Sequence, residues 1–173
     1  MAEIIKLDAL SEADVDQLTA LLGDAVANGA SVGYLIPADQ TALALYWRGV
    51  AQEIASGDIG LVAARDDGRI VGSAQLQFCQ KPNGRHRAEV QKVLVHSASR
   101  RQGIGRALMA ALEHQARAGG RQLLVLDTET DSSGQHLYAA LGYLRAGAIP
   151  RFAIGTAGGW AETTYMYKFI DPA

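Results

Sequence analysis

Apolar positions repeat along this chain at two periods that alternate in blocks. Residues 3–7 read as a short strand. Ser11 followed by Asp14 has the form of a capping box, and Val15, Leu18, Leu21 and Leu22 recur at helical spacing. This predicts a first helix ending near Asn28-Gly29. Gly29-Ala30-Ser31-Val32-Gly33-Tyr34 is rich in glycine and small residues and reads as an irregular loop. A second helix is predicted from about Ala38 to Ser56, closed by Gly57. Residues 59–65 and 69–79 flank Asp66-Asp67-Gly68, the signature of a hairpin. In its second strand Ile70, Ala74, Leu76 and Phe78 fall on one face, and Ser73, Gln75 and Gln77 on the other.

Lys81-Pro82-Asn83-Gly84 is a turn, and a strand follows from about Arg87 to Val95. A helix opens at Gly103-Ile104-Gly105, carries Ile104, Leu108, Ala111, Leu112 and Gln115 on one side, and ends at Gly119-Gly120. Leu123 to Leu126 is wholly apolar and stops at Asp127, as a buried central strand would. A short helix over 132–141 and strands over 142–148 and 161–169 complete the chain. The order β-α-α-β-β-β-α-β-α-β-β predicts an α/β fold, a mixed sheet with helices on both faces.

Composition adds limits. The 173 residues suit a single domain able to bury a real core, with 49% hydrophobic and 20% charged residues. A net charge of −2 gives no general attraction to nucleic acid or anionic membranes. The lone Cys79 excludes an internal disulfide and a multi-cysteine zinc site, and the four histidines have no metal spacing. No apolar stretch reaches transmembrane length, and the N-terminus is unlike a signal peptide, so a cytoplasmic protein is expected.

The densest signal is Val93-Leu94-Val95-His96-Ser97-Ala98-Ser99-Arg100-Arg101-Gln102-Gly103-Ile104-Gly105-Arg106. A strand runs through a tight loop into a helix start, where free backbone N–H groups and the helix dipole favour an anion. Arginines there oppose the dipole, itself a hint of a bound anion. A dinucleotide fingerprint would want a third glycine at Leu108, and a P-loop would want Gly-Lys-Ser/Thr; neither is present. What remains is Arg100-x-x-Gly103-x-Gly105 after a Val-x-Val strand, which resembles the acyl-CoA signature of the GNAT family of N-acetyltransferases.

The resemblance covers nearly the whole chain and implies a splayed, mixed sheet and acetyl-CoA as co-substrate, with no metal. It places Val93, Leu94 and Val95 along the pantetheine arm, and Arg100, Arg101, Gln102, Gly103, Ile104, Gly105 and Arg106 around the pyrophosphate. Leu137-Tyr138-Ala139-Ala140-Leu141-Gly142-Tyr143 matches the family's later tyrosine motif, which implies that Tyr138 protonates the departing thiolate. Ser132, Ser133 and Gln135 stand where an Asn often contacts the cofactor. Gly29–Gly33, Cys79–Gly84, Arg87–Lys92 and Leu126–Glu129 are similar to the tabtoxin-resistance type, which acts on a β-lactam-containing amino acid.

Acetylating an amine requires removing its proton, because an alkyl ammonium has a pKa of about 10. Period-2 alternation puts Glu89, Gln91, Val93 and Val95 on one face, making Glu89 a candidate base; a solvated strand carboxylate is the plainer reading. Asp127 closes a buried strand at its carboxyl end, where open α/β sheets bind ligands, although it could equally cap a turn. Glu129 is a weaker third carboxylate, and Ser31 and Tyr34 are candidate substrate contacts in the loop between the first helices. His96 braces its loop more readily than it catalyses. Cys79 has no evident His partner, so direct attack is expected rather than an acyl-enzyme. The expected partner is a small-molecule amine; a homodimer through the last strand is compatible. Two other readings stand open: a protein or peptide N-acetyltransferase, against which the bulk of Tyr34 and Trp47 argues, and a non-catalytic acyl-CoA sensor, which would not need Glu89, Asp127 and Tyr138.

Overall fold

The computed structural model describes residues 2–156 and 158–170. The Ser11 hydroxyl accepts from the Asp14 amide at 3.1 Å while the Asp14 carboxylate accepts from the Ser11 N–H, also at 3.1 Å. This closed capping box starts α1 (Glu12–Ala27). Asp39 caps α2 (Gln40–Ser56), which ends at Gly57 in the left-handed region. The remaining elements are β1 (Glu3–Lys6), β2 (Ile59–Asp66), β3 (Arg69–Phe78), β4 (Arg87–Val95), α3 (Ile104–Ala118), β5 (Leu123–Glu129), α4 (Ser133–Ala140), β6 (Leu144–Ile154) and β7 (Trp160–Phe169). They follow the order read from the hydrophobic pattern.

The strands form one sheet in the order β1-β2-β3-β4-β5-β7-β6. Neighbours are antiparallel except β4 and β5, which α3 joins as a parallel crossover. Two cores sandwich the sheet. Leu18, Leu22, Leu43 and Trp47 of α1 and α2 pack on Leu61, Ala63 and Leu94. On the other face Leu108, Met109 and Leu112 of α3 and Tyr138 of α4 pack on Leu76, Val90, Leu124 and Leu126. Each such side chain contributes about 1.5–3 kcal/mol by leaving water. Trp47 is fully buried, so it says nothing about the width of a groove between the first helices.

Two bulges overturn the simple face assignments. In β3 the register slips where Arg65 pairs with Ile70 and Ala64 with Gly72. Ile70 therefore joins the α1/α2 core, while Ala74 and Leu76 join the α3/α4 core. In β4, Ser73 pairs with Leu94 but Gln75 pairs with Gln91, leaving one extra residue, and Lys92 adopts φ 48°. Ala88, Val90, Val93 and Val95 then share the α3/α4 face, and Leu94 lies on the opposite one. Glu89 and Gln91, hydrogen-bonded to each other at 3.0 Å, thus do not share a face with Val93 and Val95.

β6 runs six residues beyond its expected end. A register irregularity between Ile149 and Ala153 absorbs Pro150 and Arg151. Proline is tolerated there because β6 is the sheet edge.

Candidate active site

β4 and β5 are paired at only three rungs: Arg87 with Leu123, Ala88 with Leu124 and Glu89 with Val125. Beyond Glu89 the strands part, while β5 continues against β7 as far as Glu129. The wedge opens into a cleft of about 940 Å³, bordered by Glu89–Val95, by Asp127–Glu129, by the start of α3 and by α4. The flank of β4 facing this opening has no strand beside it, so its backbone is available to an extended ligand.

One end of the cleft is built for an anion. Side chains cap α1, α2 and α4, but α3 has none; its N-cap is Gly103 at φ 81°. The first helical bond is from the Ala107 amide to the Gly103 carbonyl, at 3.0 Å. The amides of Ile104, Gly105 and Arg106 are thus left without intrahelical partners. A Cβ on Gly105 would meet the Leu137 side chain at 3.1 Å, so any larger residue here would press on α4. Arg100, Arg101 and Arg106 border the same end. Asp24 of α1 fixes the preceding loop by accepting from the Ser97 amide and hydroxyl, each at 2.7 Å. Burial alone would raise the Asp24 pKa; those bonds, with His96 and Arg100, bring it below the ordinary value. The His96 Nδ1 accepts from the Ala98 amide at 3.2 Å, which is the bracing role.

The other end carries the titrating groups. Val125 and Asp127 project to the face of β5 opposite Leu124 and Leu126, which is the face Glu89 occupies. Asp127 reaches solvent through the cleft mouth, yet the walls enclose it enough to raise its pKa. Burial is the main cause and the nearby Glu89 charge adds to it, with Lys92 opposing. Tyr138 is 8% exposed, and burial with the Asp127 charge pushes its phenol up to about 12. Lys92 was not singled out from sequence. The bulge turns it toward α2, where its ammonium lies 5.1 Å from the Tyr46 ring centre. Burial lowers its pKa against the pull of Asp127 and Glu89. The adjacent polar pair Gln91-Lys92, which breaks the strand's alternation, was the available signal.

The model of the Acetyltransferase (GNAT) family matches residues 19–143. The chain belongs to the GNAT family of N-acetyltransferases. An uncharacterised N-acetyltransferase of Azospirillum brasilense, from a hisH-hisA intergenic region, is 32% identical over 91% of this chain and 94% of its own. An L-methionine sulfoximine/L-methionine sulfone acetyltransferase of Pseudomonas paraeruginosa is 27% identical over 92% and 91%. The solved phosphinothricin acetyltransferase of Sinorhizobium meliloti, in complex with AcCoA, superposes with a TM-score of 0.79 at 22% identity, covering 99% of this chain and 93% of its own.

In this N-acetyltransferase most of the residues expected at the site border one cleft: Ser31, Glu89, Val93, Leu94, Val95, Arg100, Arg101, Gly103, Ile104, Gly105, Arg106, Asp127, Glu129 and Tyr138. Leu94 and Ile104 turn their side chains into the two cores, so they can offer a ligand only backbone. Gln102 and Tyr34 do not border it; Tyr34 packs edge-on against Tyr46, centroids 6.4 Å apart. Ser132, which caps α4, and Ser133 border the cleft as well, whereas Gln135 does not and accepts from the Asp131 amide at 2.6 Å. Among the described residues no cluster of His, Cys, Asp and Glu could hold a metal ion, and no helix is long and apolar enough to cross a membrane.

Proposed function

We propose that this enzyme transfers the acetyl group of acetyl-CoA to the primary amine of a small molecule, by direct attack with both substrates bound. The observation that carries this reading is one cleft with an uncapped helix start at one end and Glu89, Asp127 and Tyr138 at the other. The donor fits: the free amides of α3 suit its pyrophosphate, and the unpaired flank of β4 at Val93 and Val95 suits the amide-bearing pantetheine arm. Acetyl-CoA supplies an acyl group activated as a thioester.

Glu89 and Asp127 attract the acceptor's ammonium and take its proton, directly or through water. As the C–N bond forms the C–S bond breaks. Tyr138, protonated throughout the neutral range, gives its proton to sulfur and recovers the one that nitrogen sheds. The relatives named for methionine sulfoximine and phosphinothricin support an acceptor of amino-acid size, a class that includes β-lactam amino-acid toxins. We also propose a homodimer, not through the last strand as expected, because β7 is hydrogen-bonded to both β5 and β6, but through the free β6 edge, near Ile154 and its neighbour Trp160, which are 54% and 68% exposed.

Free thiol released from acetyl-CoA across a panel of small amines, amino acids and peptides tests the reading. Turnover confined to small amines is expected. Turnover confined to peptides, or none with any acceptor, overturns it.

A further inference from the structure

Among the described residues Lys92 is the one cation bordering the chemical end of the cleft, and the mechanism above does not use it. It borders the cleft with Glu89 and Asp127. Among the described residues no carboxylate lies within ion-pair distance of its ammonium, whereas the partly buried Lys168 is paired to Glu113 at 2.8 Å. What holds it instead is the Tyr46 ring, fixed in turn by a 2.7 Å hydrogen bond from its hydroxyl to the buried Gln75. A sheltered ammonium is costly unless an anion completes it. The β4 bulge delivers it there by putting Gln91 and Lys92 in succession where a regular strand would alternate.

We propose that Lys92 reads a carboxylate on the acceptor. The site then presents two carboxylates for an ammonium and one ammonium for a carboxylate, the charge pattern of a free amino acid. A plain amine, an amino-acid amide or an internal peptide residue would leave Lys92 uncompleted. Lys92 is thus a specificity-determining residue for an acceptor bearing amine and acid close together; this rests on the small-amine reading.

The test compares L-methionine sulfone and other free amino acids with their carboxamides, as acceptors for the wild type, Lys92→Met and Lys92→Arg. Comparing ratios between variants cancels the different basicity of amide and acid. The wild type should favour the acid in kcat/KM. Lys92→Met should lose that preference by on the order of 10- to 100-fold, the worth of a sheltered charge-assisted hydrogen bond, and Lys92→Arg should keep most of it. A thermal shift with acetyl-CoA equal to the wild type's would show that each variant is folded. Equal loss on acid and amide in Lys92→Met overturns the proposal, as does a wild type that prefers amides or simple amines; in both cases the acetyltransferase reading survives. No turnover of any acceptor overturns both.

Discussion

Glu89 faces Val125 at the last rung of the β4–β5 ladder, and Asp127 lies two residues further along the same face of β5. The strands part where the carboxylates begin, so the two charges are brought together at a mouth open to substrate. Partial enclosure, and after it the Glu89 charge, raises the Asp127 pKa. The base form of Asp127 therefore needs a higher pH than that of a solvated aspartate. The acid limb of kcat against pH should reflect this raised value, and Asp127→Asn should remove that limb and lower kcat on the order of 10²-fold.

The same shift has a stability sign. A carboxyl whose folded pKa exceeds its unfolded value favours the fold while protonated and opposes it once ionised. Asp127→Asn should therefore raise the melting temperature at neutral pH. The gain should shrink as pH falls from the raised value and vanish below the unfolded value of about 3.8. Melting curves across that window check it; a loss of stability at neutral pH would contradict the account of Asp127.

Tyr138→Phe keeps the ring that packs at 5.9 Å from Tyr143 and removes only the hydroxyl. We expect kcat to fall by about 10²-fold, with the dissociation constant for acetyl-CoA unchanged by calorimetry. Unchanged turnover would remove Tyr138 from the mechanism.

Gly105→Val puts a branched side chain where a single Cβ already meets Leu137 at 3.1 Å. Either Leu137 gives way or the helix start shifts, and a shift moves the amides of residues 104–106. We expect the acetyl-CoA dissociation constant to rise at least about 10-fold and the fold to lose about 1–3 kcal/mol, measured by calorimetry and urea unfolding.

If the β6 edge joins two copies, the wild type should sediment as a dimer. Ile154→Asp would place a charge against the exposed Trp160 pair and should weaken association by at least about 10-fold. A wild type that sediments as a monomer at every concentration contradicts the dimer.

The sequence carried the elements and both ends of the cleft because their signals are local. Ser11 with Asp14, Asp66-Asp67-Gly68 and Gly103-x-Gly105 each fix a cap or turn within a few residues. The faces were less legible. An inserted residue in β3 and another in β4 reverse the alternation, and their effect shows only through pairing with a partner strand. Ile70 was misplaced for that reason, and Lys92 was passed over. Gln75 falls by alternation on the polar face of β3 with Ser73 and Gln77, yet it lies fully buried, bonded to the Tyr46 hydroxyl of α2. Trp47 likewise disappears into that core.

Direct transfer is the central claim, and the thiol released on mixing a stoichiometric amount of enzyme with acetyl-CoA, before and after adding an acceptor amine, tests it most directly. The account predicts no thiol above background until the amine arrives, then one thiol for each acetylated product. A burst equal to the enzyme concentration in the absence of amine would mean an acyl-enzyme, and would contradict direct attack at the Glu89, Asp127 and Tyr138 end of the cleft.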